Sequence, residues 1–94
     1  MDIPISPDEY RTKLTQRILL AGSQEEVKRS IDEAMLALET NRVHGHAILR
    51  FVEIIISEFE SYSPIQKDAQ QWSNIILSKV LFKRIRHQLT ATVN

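Results

Sequence analysis

The 94 residues contain no cysteine. That excludes disulfides, thiol catalysis and thiolate metal sites, and with them a small secreted domain stapled by bridges. Glycine occurs twice and proline three times, too few for the turns of a small β fold. Gly22 and Gly45 cannot build a phosphate loop, a dinucleotide fingerprint or a nucleophile elbow. Net charge is also missing: twelve bases balance twelve acids and the isoelectric point is near 6.8, whereas a dedicated nucleic-acid domain is usually basic. The opening MDIPISPDEY has neither the basic nor the apolar region of a signal peptide. The longest apolar stretches are interrupted by Glu53 or by Lys and Arg, so no segment reads as a membrane span. The expectation is one soluble, cytoplasmic domain over residues 1–94, with a loose arm at 1–5 and a frayed tail at 90–94.

What is present is helical periodicity. From Ala47 to Phe59, nine of thirteen residues are apolar. At about 100° per residue, Arg50, Glu53 and Ser57 fall on one narrow line, extended by His46 and Glu60. A helix apolar over most of its circumference is covered on most sides, so this segment, about 46–60, is expected at the centre of the fold.

The other segments punctuate themselves. Ser6-Pro7-Asp8-Glu9 is a helix start, with Ser6 as cap and Pro7 at the first helical position. Ile5 and Tyr10 occupy the positions of a hydrophobic staple. Tyr10, Leu14, Ile18 and Ala21 share a face, and Gly22 is placed to end the helix in a left-handed conformation. Ser23 with Glu26 forms a second capping box. Val27, Ile31, Ala34, Met35 and Leu38 give the next apolar face, opposite a charged face of Glu25, Lys28, Arg29, Asp32 and Glu33. Asn41 is the expected left-handed end, and a turn is expected near Gly45. Ser63-Pro64 starts the last and longest helix, which meets no breaker from Pro64 to about Leu89. The fold expected is all-α, a small four-helix bundle with a central apolar helix and a long C-terminal one.

The C-terminal helix shows two apolar faces. Ile65, Ala69, Trp72, Ile76 and Val80 share one; Leu77, Leu81, Ile85 and Leu89 share another, about 160° away. A monomeric bundle should need only one. Either the helix breaks near Ser78, or the core is wide, or the second face meets something outside the chain, since monomers seldom leave such a stripe open. The last reading is preferred here. It makes Leu77, Leu81, Phe82, Ile85 and Leu89 a candidate interface for a homodimer or a protein partner.

Charge is uneven along the chain. Residues 1–40 hold eight acids and five bases; residues 41–94 hold four acids and seven bases. Lys79, Lys83, Arg86 and His87 gather on one side of the last helix, and such a face can contact phosphates. The helix after Gly22-Ser23, SQEEVKRSIDEA, is too acidic for a recognition helix. Catalytic and metal signals are weak. His44 and His46 are two apart and share no helix face, and no third ligand follows at metal-site spacing. The line His46, Arg50, Glu53, Ser57 reads as a solvated stripe. The sequence therefore points to a non-enzymatic protein–protein interaction module that self-associates through the second half of its last helix. No cofactor, metal or small-molecule substrate is implied. A nucleic-acid-associated regulator using the basic face is the alternative.

Overall fold

The computed structural model describes residues 6–93. Among these the chain forms four α-helices: α1 (Pro7–Leu20), α2 (Gln24–Thr40), α3 (Gly45–Glu60) and α4 (Ala69–Val93), with a short 3-10 turn at Pro64–Gln66. The fold is a small all-α four-helix bundle, and no described residue is in a strand. The arm before Ser6, including Ile5 of the expected staple, lies outside the described residues.

The helix starts follow from side-chain acceptors that satisfy amides a helix leaves unpaired. Ser6 accepts from the Glu9 amide and Ser23 from the Glu26 amide, each at 3.2 Å. The Glu26 carboxylate reaches back to the Gly22 amide at 3.0 Å. His44 caps α3, its Nδ1 accepting from the His46 amide at 3.2 Å. Gly45 is thus the first residue of α3 rather than its turn.

Two helix ends differ from expectation. α1 stops because Ala21 is extended (φ −62°, ψ 137°), and neither glycine has a positive φ. At the end of α2 the left-handed residue is Arg42, at φ 58°, not Asn41. The Val43 amide bonds the Leu38 carbonyl and the Arg42 amide bonds the Glu39 carbonyl, both at 3.0 Å. This is a Schellman end with arginine where glycine is usual.

The long C-terminal helix also begins later than its sequence suggests. Ser63 caps only the 3-10 turn, accepting from the Ile65 amide. Asp68 then starts α4: its Oδ1 accepts from the Gln71 amide at 2.8 Å while Gln71 Oε1 accepts from the Asp68 amide at 3.3 Å. That reciprocal pair is a capping box, and it delays the helix from Pro64 to Ala69. From there α4 is continuous past Ser78 to Val93, so residues 90–93 are helix rather than tail.

Twenty-five residues at 1.5 Å each give about 37 Å, and the long dimension of the molecule is 37 Å. α4 therefore runs the length of the bundle. It packs on α1, α2 and α3, whereas α2 and α3 make little contact with each other. α3 supplies the richest buried stripe: Ile48, Phe51, Val52, Ile55, Ile56 and Phe59. Phe59 meets Phe82 of α4 with ring centroids 6.4 Å apart.

Candidate interaction surface

The orientation of α4 decides what the protein can offer to a partner. Its inward positions are Asn74, Ile75, Ser78 and Phe82, all buried, continued by half-buried Ile85 and Leu89. Asn74 is 1% exposed and has a specific task. Its Nδ2 donates to the carbonyls of Ile18 at 3.0 Å and Ala21 at 2.8 Å, at the open end of α1. Its Oδ1 accepts from Gln70 Nε2 at 3.0 Å. The Ile18 carbonyl also accepts the Ala21 amide at 3.2 Å, so a side chain of α4 adds a second donor there and supplies one to the Ala21 carbonyl at the end of α1. One turn later Ser78 faces the same core, fully buried, and its Oγ has no hydrogen-bond partner among the described residues.

These two polar residues reverse the expected faces. With Asn74 and Ser78 inside, Ile76 and Val80 are turned outward, at 47% and 49% exposure. Ile65 and Ala69 of the same stripe are exposed as well. Of the five residues taken from the sequence as an interface, only Phe82 is closed off entirely, and the other four stay partly exposed. Phe82 is fully buried, and Leu77, Leu81, Ile85 and Leu89 are half-buried against the chain's own core. Phe82 is thus no part of an outer face, while the rest of the second apolar stripe is covered only in part by the bundle, with Ile85 and Leu89 left at an open cleft.

The basic residues do gather on the outside. Lys83 and His87 are exposed beside Ile76 and Val80, with Arg84 on the other flank. Lys83 Nζ lies 3.8 Å from Glu60, and Lys79 sits over the Trp72 ring at 5.7 Å. Arg86 is half-buried at the border. The outer side of α4 is therefore a ridge: two β-branched apolar residues one turn apart, flanked by cations.

Two clefts accompany the ridge. One, of about 410 Å³, is lined by Asp32, Met35 and Glu39 of α2, Ile48 of α3, and Ile85, Gln88 and Leu89 of α4. It lies where α2 and α3 part, so the inner side of α4 forms its floor. The other, of about 280 Å³, lies between α1 and α3 and includes Asp8, Arg11, Arg50 and Phe51. There Arg11 Nε donates to Glu58 at 3.0 Å and a terminal nitrogen donates to Asp8 at 2.8 Å. Burial opposes the Arg11 charge, but the two carboxylates outweigh it and raise its pKa. Arg11 thus clamps α1 to α3, its charge already balanced by two carboxylates.

The remaining chemical candidates do not assemble. His46, Arg50, Glu53 and Ser57 all point to solvent along one side of α3. The His44 and His46 rings stack at 5.3 Å, with the first engaged as a helix cap. Among the described residues no three of His, Cys, Asp and Glu are grouped to hold a metal, and no helix is long and apolar enough to cross a membrane. Sequence periodicity missed Asn74 and Ser78 because a polar residue at an inward position carries no mark of its own. The chain matches no protein-family model, no curated protein and no solved structure.

Proposed function

We propose that this protein is a non-enzymatic docking module whose contact surface is the outer ridge of α4. One observation carries the reading: Ile76 and Val80 stand half-exposed one turn apart on the side of α4 away from the core. Apolar residues at i and i+4 flanked by charge are the usual anchors of helix-mediated recognition. The backbone beneath them is held by the Asn74 clip and by packing on three helices, so the ridge is presented in one conformation and docking costs little ordering entropy. The cations Lys83 and Arg84 favour an acidic partner and speed its approach.

Phosphate binding by the same cations is the second reading. It has less support, because the centre of the ridge is apolar rather than a row of donors. Direct nucleic-acid binding would fall steeply with salt.

The test is a photoreactive amino acid at position 80, compared with the same group at exposed Gln16 on α1, in cells that make the protein. A discrete adduct at position 80 that is absent at position 16, and lost with Lys83→Glu and Arg84→Glu, supports the docking face. Equal adduct patterns at the two positions would sink it.

A further inference from the structure

We infer that the ridge of α4 is received by a second copy of this chain, in the cleft between α2 and α3. This inference rests on the docking reading and names the partner. The cleft is complementary to the ridge in shape, polarity and charge. Its floor is apolar, formed by Met35, Ile48, Ile85 and Leu89, and its rim carries Asp32, Glu39 and the exposed Gln88. Methionine is the most adaptable of apolar linings and suits a site that must close over a foreign side chain. The ridge offers Ile76 and Val80 to such a floor, and Lys83 and Arg84 to such a rim. Both carboxylates are on exposed residues, and neither takes part in an ion pair found among the described residues. The chain as a whole is neutral, so copies do not repel through net charge while opposite local charges can meet.

Geometry also fixes the kind of assembly. Val80 and Leu89 lie nine positions apart, about 180° around the helix at 100° per residue. Ridge and cleft therefore lie on opposite sides of α4. One α4 cannot use both against the same partner across a two-fold axis. The contact is heterologous, ridge of one copy into cleft of the next, and each added copy leaves one ridge and one cleft free.

The experiment is light scattering on the full chain over a wide concentration range at low and high salt. Mass above the 10.9 kDa of one chain should grow with concentration and fall back in high salt. Two charge-reversed chains decide the contact: Lys83→Glu with Arg84→Glu on the ridge, and Asp32→Lys with Glu39→Lys on the rim. All four positions are exposed, so both chains should fold, and helicity by circular dichroism checks it. Each alone should stay at the mass of a single chain. Their equimolar mixture should recover the wild-type mass, because each reversed surface now meets its opposite. Adding Val80→Ser to both chains should abolish the recovery.

Three results overturn the inference. The wild type could remain a single chain up to about 1 mM in low salt, the weak end of the affinity scale. The mixture could stay at single-chain mass. Or recovery could be indifferent to Val80→Ser, which would make it attraction between net charges. If position 80 still yields an adduct with a different protein, the copy-to-copy contact fails while the docking face stands. If it yields none, both fail.

Discussion

The side-chain amide of Asn74 donates to the backbone carbonyl of Ala21 at 2.8 Å, across 53 residues of sequence. The same nitrogen reaches the Ile18 carbonyl at 3.0 Å, so one side chain of α4 closes the end of α1. Asn74→Ala should cost about 2 kcal/mol, the scale of a buried acceptor left without its partner. Asn74→Asp should cost more at neutral pH, because a carboxylate would face two carbonyls. Ser78→Ala one turn on should be neutral or stabilising by about 0.5–1 kcal/mol, since its hydroxyl is buried unpaired and alanine is the better helix former. Urea denaturation of the three variants checks the contrast. A Ser78→Ala loss as large as that of Asn74→Ala would show that the hydroxyl has a partner.

The two sides of α4 should respond oppositely to truncation. Phe82→Ala should cost about 3–5 kcal/mol, as for a large core aromatic. Val80→Ala should stay within about 0.5 kcal/mol. Leu81→Glu and Ile85→Glu should lower helicity and melting temperature, because their stripe packs against the core of the bundle. If either instead left a well-folded monomer, the inward orientation of α4 would be wrong.

Arg42 holds a left-handed backbone at φ 58°, a conformation that costs a side-chain-bearing residue about 1–2 kcal/mol relative to glycine. Arg42→Gly should therefore raise stability by roughly 0.5–1 kcal/mol after the added entropy of the unfolded chain. Arg42→Val should lower it, since a β-branched residue tolerates this region least. Thermal unfolding of both variants reads the sign directly.

Burial raises the phenol pKa of Tyr10 and of Tyr62 above 10.0; nearby Glu58 adds to the Tyr62 shift, and at Tyr10 Arg17 opposes it while Glu33 adds. The folded state thus keeps its phenol protons where the unfolded chain releases them. The stability this contributes is fully present below pH 10 and is lost as pH rises through the raised folded values. Chemical denaturation on either side of pH 10 should show the decline, and Tyr10→Phe with Tyr62→Phe should reduce it. Phenolate absorbance of the native protein should appear at higher pH than that of the denatured chain.

The sequence made the starts of the first two helices readable because each has a residue whose side chain accepts an amide, Ser6 and Ser23; the His44 cap of α3 carried no such signal. The all-helical class and the apolar segment around Phe51 to Phe59 followed from periodicity. The direction in which α4 faces did not. Counting apolar residues places Ile76 and Val80 inside and ignores Asn74 and Ser78, yet the side of α4 that turns inward carries Ile75 and Phe82 together with Asn74, which bonds the end of α1. Asp68 was passed over for the same kind of reason: Ser63-Pro64 looks like a start, and the nearby Asp68–Gln71 box overrides it. The ridge became visible only once the orientation was known.

α4 is the latest of the four helices to leave the ribosome. Until it emerges, the Ala21 carbonyl lacks the Asn74 donor, and α2 and α3 have little to hold them together. The nascent chain therefore exposes its apolar α3 stripe for the whole interval between the synthesis of α3 and that of α4. Arrival of the final helix covers that stripe, with Phe82 set against Phe59.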